Sequence, residues 1–274
     1  MLIDSVIIVL REVIEVAFLA SVLLALAYFM RIPAPRLRAT TFLGGIAALL
    51  FDGLVRALFD RFQGFGYELT MVTVDVLIWL TILAILALVA IAPKQPGTRT
   101  ALARLMSAAL LLAIIREGGE ILMYFSSLSG REDAISDALT GAVIGTAVGF
   151  SAGTLFYYLQ LAQRPATAIA TGAILLALIG SGICAQGTLL LVQADLLPAQ
   201  TPLWDSSGWL QESSPLGQLL YALMGYEATP SPLMLGVWLG SIAVALAITL
   251  GCRHLAARSV AGTDERLRDA PTRS

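Results

Sequence analysis

Charge is what this sequence has least of. Only 13% of its 274 residues are Asp, Glu, Lys or Arg, against about 25% in a soluble domain. Histidine occurs once, at His254, and lysine once, at Lys94. Cysteine occurs twice, at Cys184 and Cys252, both inside apolar runs. Each scarcity excludes something. One histidine at the edge of an apolar run cannot supply the ligand sets of di-iron or haem enzymes of the bilayer. It cannot serve an intramembrane serine–histidine protease either. A single lysine outside any phosphate-binding loop excludes an ATP-driven pump at the level of this chain. Two cysteines inside apolar runs make neither a disulfide framework nor a cysteine zinc site. No nucleic-acid partner is expected.

What is present is apolar surface, 58% of the residues, with a mean hydropathy of +0.83. It comes in runs of about 20, the length that crosses a bilayer as a helix. The expected fold is an all-α polytopic membrane protein with seven spans, at about 3–30, 38–59, 70–92, 101–127, 138–162, 167–193 and 232–252. These make one domain, 1–252, followed by an Arg-rich tail, 253–274. Turn chemistry separates the spans: Pro33 and Pro35, Pro93 to Gly97, Gly130 to Asp133, and Arg164-Pro165. The first span is not expected to be a cleaved signal, because Arg11, Glu12 and Glu15 interrupt it.

Orientation follows from the basic residues. Loops one, three and five and the tail carry twelve of the seventeen, among them Arg31, Lys94, Arg164 and Arg253; loops two, four and six carry Arg61 and Arg131. Positive loops stay cytoplasmic, so the N-terminus is expected outside and the tail inside. The outward loops are acidic, with Asp60, Glu68, Asp205, Glu212 and Glu227 among their residues, a surface that attracts cations.

Two spans carry charge where a membrane helix should avoid it. Arg11-Glu12-Val13-Ile14-Glu15 lies in the first, and Arg116-Glu117-Gly118-Gly119-Glu120 in the fourth. Each such charge costs at least ~2.5 kcal/mol on insertion scales. Within each motif the two glutamates share a helix face, and Arg and the last Glu can pair one turn apart. Both motifs lie roughly 8–12 residues from the outer surface, about 12–18 Å deep. Four carboxylates from two antiparallel helices are therefore expected around one point near the midplane. Four Glu against two Arg leave −2, which hydrocarbon does not tolerate without a bound cation, protons or further partners. Carboxylate oxygens are hard donors and suit small, highly charged ions. The bland alternative is a set of structural ion pairs.

Other residues have less defined roles. Asp52 stands four residues from Arg56 and is expected to pair with it, with a supporting role at the site as the second reading. Asp75 is placed near the outer end of the third span, lining a vestibule or sitting in the wet interface. Tyr124, one turn beyond Glu120, either adds a phenol to the site or packs. The motifs start three spans apart, so spans one to three and four to six read as an inverted repeat. Gly118-Gly119 allows a local break or a close backbone approach. Gly141, Gly145, Gly149 and Gly153 make a small-residue stripe for close helix packing. Gly180-Ser181-Gly182 could pack or break its helix. In the last outward loop, Leu216, Leu219, Leu220, Leu223 and Met224 predict a short helix, lying on the outer membrane surface or lidding the site. Trp204 reads as an interfacial anchor.

With both pentapeptides placed, the chain resembles the oxidase-dependent iron permeases, the yeast high-affinity and bacterial iron-uptake permeases. Their pattern is Arg-Glu-Gly-x-Glu in the first and fourth spans. The second copy matches it fully; the first has Val13 where the family has Gly. Trp204-Asp205-Ser206-Ser207 and Gly225-Tyr226 also look like bacterial members. The resemblance implies uptake of iron, as Fe³⁺ formed by oxidation of Fe²⁺ outside the membrane, with an extracytoplasmic iron-oxidising or iron-binding partner. It implies Glu12, Glu15, Glu117 and Glu120 as metal ligands, oriented by Arg11 and Arg116. Some relatives are associated with lead. The expectation is a secondary transporter of the cytoplasmic (inner) membrane, not an enzyme, with no permanent cofactor and iron as cargo. Its rivals are a permease for another divalent cation such as lead and a proton-coupled carrier using the same carboxylates.

Overall fold

A computed structural model of the chain describes residues 2–32, 40, 43–50, 53, 66–91, 96–128 and 132–268. Seven labelled helices order these residues: α1 (Leu2–Phe29), α2 (Gly66–Ala90), α3 (Pro96–Ser127), α4 (Glu132–Leu161), α5 (Pro165–Gln193), α6 (Pro215–Met224) and α7 (Pro232–Arg268). A further helical stretch covers 43–50, inside the expected second span, and no strand occurs among the described residues. Five helices, α2, α3, α4, α5 and α7, are long and apolar enough to cross a bilayer. The all-helical, multi-pass membrane class expected from composition is therefore the class observed.

The chemistry of the helices agrees with a lipid solvent. Their hydroxyls turn back on their own backbone: Thr73, Thr81, Ser151, Thr154 and Thr249 each donate to the carbonyl four residues earlier, at 2.7–2.8 Å. Such self-satisfied side chains leave no polar group facing hydrocarbon. Along α4, Leu139, Val143, Phe150 and Leu155 are all exposed, an apolar face that water would penalise.

Helix α1 is enclosed by the others, with half of its 28 residues buried. Its closest neighbour is α4, and the glycine stripe makes that closeness possible. A Cβ at Gly145 would stand 2.8 Å from the Val6 carbonyl oxygen and 2.9 Å from the Leu10 nitrogen; one at Gly149 would stand 2.7 Å from Val13 Cγ1. Residue numbers rise together on both helices, so they run parallel. The stretch 43–50 meets α3 in the same way: a Cβ at Gly44 would stand 2.8 Å from Ile114, and one at Gly118 would stand 2.7 Å from Ala48 Cβ. Gly118-Gly119 thus serves close approach, and α3 runs through it unbroken, which removes the alternative of a local break.

Gly180-Ser181-Gly182 is likewise continuous helix in α5. Gly182 meets Gly225, whose φ of +68° closes the C-terminus of α6. At the other end of α6, the Ser214 hydroxyl accepts from the Gly217 amide at 3.0 Å. With both ends fixed, α6 turns Leu219, Ala222 and Leu223 onto Leu10, Ile14 and Phe18 of α1. It therefore packs against α1 and α5 of the bundle.

One boundary differs from expectation. Helix α7 continues to Arg268, because the segment after 252 is rich in Ala, Arg and Leu and has no proline before 268 to stop it. Beneath the region of the two motifs, Leu23, Leu26, Ile82, Leu86, Leu102 and Met106 form a dry core.

Candidate functional site

The site is assembled from α1 and α3, the two helices that carry the repeated pentapeptide. Glu12 and Glu15 share a face of α1, and Glu117 projects from α3. One carboxylate oxygen from each lies within 4.8 Å of the other two. An ion with bonds of ~2.4 Å holds oxygens up to about that far apart. All three side chains are buried, Glu117 to 3% exposure, and Glu117 Oε2 has no hydrogen-bond partner. A buried acceptor without a donor costs about 1–3 kcal/mol, so the arrangement is built for something that supplies positive charge or a proton.

Arg116 stands against this triad, fully buried and saturated. Its Nε donates to Asp75 Oδ1 of α2 at 2.7 Å, and its Nη2 to Gln186 Oε1 of α5 at 2.7 Å. Its Nη1 pairs with Glu117 and lies 3.5 Å from Glu15 Oε2. Glu120 Oε1 is 3.8 Å from Nη2. Asp75 and Arg116 cancel each other. Three triad glutamates then face one further cation, Arg11, which leaves −2 uncompensated; Glu120 adds to it at the rim.

Arg11 is the more exposed counterpart. It is 41% exposed, 3.9 Å from Glu15, and its guanidinium carbon lies 3.7 Å above the Tyr221 ring of α6. Burial, with Glu15 nearby, lifts the Tyr221 phenol well above its ordinary range, so it stays protonated. Above Arg11 and Glu12 opens a cavity of about 620 Å³, walled by α1, α6 and the outer loop through Ser207, Gln211, Gln218 and Thr229. Below, beside Glu15, Glu117 and Gln186, only about 10 Å³ is free, close to the least that one water needs. Among the described residues the site is open on the side of Arg11 and Glu12 and narrow beside Glu15 and Glu117.

The segment between α5 and α7 is itself held by hydrogen bonds. Ser206 Oγ lies 2.8 Å from the Tyr226 hydroxyl, which donates to the Leu210 carbonyl at 2.9 Å. The Ala228 amide donates to Glu212 at 2.7 Å. Ser207 donates its hydroxyl and amide to Asp205, at 2.5 and 2.9 Å, and holds that exposed carboxylate below its usual range. Partial burial and the neighbouring Glu212 push Glu227 up to about 7.

Of the four glutamates expected together, the structure brings together Glu12, Glu15 and Glu117. Glu120 is 34% exposed and falls outside the group: its turn of α3 has climbed to the rim. Asp75 is neither in a vestibule nor in a wet interface. It is 1% exposed and bound to Arg116, because α2 already begins at Gly66 and carries Asp75 a further turn into the bundle. Tyr124 does not join the triad; its hydroxyl lies 2.5 Å from Ser5 Oγ and ties α3 to the start of α1. Asp52 lies outside the described residues. Two contributors escaped the sequence reading, Gln186 and Tyr221. A glutamine in the interior of the sixth span, Gln186, was the best signal; Tyr221 was hidden inside an apolar stripe.

Comparison with protein-family models, with curated proteins and with solved structures gives no match.

Proposed function

We propose that this protein is a secondary permease for a small, hard metal cation, with iron as its cargo. One observation carries the reading: three buried carboxylates from two helices converge within 4.8 Å, one with an unpartnered oxygen. A set of structural ion pairs would match each carboxylate with a cation, and here the carboxylates outnumber the arginines. Iron as the cargo rests on the resemblance of the doubled Arg-Glu-x-x-Glu pattern to the iron permeases, with lead or another divalent cation as the alternative. No catalytic step is assigned to the site.

In this reading the chain crosses the cytoplasmic (inner) membrane seven times, N-terminus outside, and α6 with its loop roofs the outer side. The cavity above Arg11 admits the ion. An iron-oxidising or iron-binding partner presents it there. The inverted repeat gains support from paired contacts: Gly145 lies against Val9 as Gly44 lies against Ile114, and Gly149 against Val13 as Ala48 against Gly118. Inward passage of a trivalent ion gains about 7 kcal/mol per 100 mV, enough to drive uptake without ATP.

Uptake of radioactive iron into proteoliposomes tests the proposal. Native protein accumulates iron, and the double variant Glu12→Gln, Glu117→Gln does not, while remaining folded. Unchanged uptake by that variant overturns the ligand assignment. Uptake of protons that needs no metal establishes the proton-coupled carrier instead.

A further inference from the structure

Asp75, Gln186 and Arg116 form a unit that the ligand set does not account for. Asp75 and Gln186 come from α2 and α5, helices that carry neither motif, and each bonds one edge of the guanidinium at 2.7 Å. Gly187 lies next to Asp75; a Cβ there would stand 3.4 Å from its Oδ2. The carboxylate therefore packs against bare helix backbone and is held on the arginine. The remaining Nη1 is the edge that faces Glu117 and Glu15. A cation between Glu12, Glu15 and Glu117 finds Glu117 Oε2 unpartnered, and competes with that edge for Glu117 Oε1 and Glu15 Oε2.

We propose that Asp75, assisted by Gln186, is a positioning residue that retains Arg116 when a metal ion enters the triad. Arg116 is a resident counter-charge. In the empty site its Nη1 partly neutralises Glu15 and Glu117. On metal binding it yields those contacts and stays seated on Asp75 and Gln186, whose bonds use other N–H groups. A guanidinium left without them has, besides Glu120 at the rim, only the triad to pair with, and competes with the metal for it. The neutral Gln186 suits this task, since a second carboxylate would itself attract the ion. This inference rests on the triad being the cation site.

The test is iron binding by calorimetry, with Fe²⁺ under anaerobic conditions on purified full-length protein, alongside thermal unfolding. Asp75→Asn lowers affinity about 10–100-fold, the range for partners one step behind a ligand, and Asp75→Glu restores most of it. In an Arg116→Gln background, Asp75→Asn has no further effect on affinity, because its target is gone. Gln186→Leu gives a smaller loss in the same direction and guards against an Asp75 variant that does not fold. Native affinity in folded Asp75→Asn and Gln186→Leu overturns the clamp, as does a further loss when Asp75→Asn is added to Arg116→Gln, which would make Asp75 a direct ligand. If the Glu12→Gln, Glu117→Gln protein binds Fe²⁺ like the native one, the triad reading fails first. If that variant is inert and Asp75→Asn is native-like, the clamp alone fails.

Discussion

Glu117 and Glu120 sit one turn apart in the same pentapeptide, yet their surroundings separate them. Glu117 is closed in by α1, α2 and α5, with one oxygen on Arg116 and the other unpartnered; Glu120 stands 34% exposed at the rim. A ligand in a dry site has no solvent to replace it, whereas a rim carboxylate is backed by water. Glu117→Gln should therefore reduce iron affinity at least 100-fold and Glu120→Gln less than 10-fold, read by calorimetry on folded protein; equal losses would restore a four-glutamate site. The outer loop gives a second prediction. Glu227 titrates at about 7, raised first by partial burial and then by Glu212, with Arg11 acting the other way. A carboxyl whose folded value is raised binds more protons folded than unfolded, so its contribution weakens as pH rises from its ordinary value to about 7. Amide exchange at Tyr226 and Ala228 should be slower at pH 5 than at pH 8, after correction for intrinsic rates, and Glu227→Gln should remove most of that difference. Among single residues the charged motif was legible, because its cost in lipid is readable without coordinates. The partners of Arg116 were not: Asp75 is 41 positions away in sequence and Gln186 is 70, and only the register between helices brings them to it.

The same contrast holds for the helices. Span length and the glycine stripe on α4 follow from local sequence, and both are found. The covering of α1 by α6 does not, because it depends on Gly225 meeting Gly182, a coincidence of two distant small residues. Packing around the two motifs is related by exchange: the first motif carries Val13 and its neighbour Gly149, while the second carries Gly118 and its neighbour Ala48. The departure of the first motif from glycine is thus compensated across the interface. Gly149→Ala should destabilise by about 1–3 kcal/mol, the range for overpacking, seen as a lower unfolding temperature in detergent. Adding Val13→Gly should recover part of that loss, since it reproduces the size pairing found at Ala48 and Gly118. Gly240→Ala, with open space around it, is the neutral control. A double variant no better than Gly149→Ala alone would show that the two positions do not share space.

At the scale of the molecule, the outer cavity of about 620 Å³ and the dry core of Leu23, Leu26, Ile82, Leu86, Leu102 and Met106 lie on opposite sides of the triad. In the proposed reading an ion entering from that cavity meets Arg11 and Glu12 first, then the enclosed oxygens of Glu15 and Glu117, and among the described residues the apolar core lies beyond them. Release on the other side requires that core to part, a movement of whole helices rather than of side chains, as packed interiors are not continuously deformable. Such a cycle carries its ion across the full membrane potential. Each net charge moved inward gains about 2.3 kcal/mol per 100 mV, which is roughly 1.7 decades of accumulation. Proteoliposomes with a potassium diffusion potential set by valinomycin should therefore show iron accumulation that rises with inside-negative potential, and the slope counts the charge. A slope near three charges means Fe³⁺ moves alone, and near two means Fe²⁺. A smaller value that changes with an imposed pH gradient means that protons leave the carboxylates as the metal passes, as expected for ligands that must be deprotonated to bind it. Accumulation that ignores both potential and pH gradient would remove the secondary-permease reading proposed here.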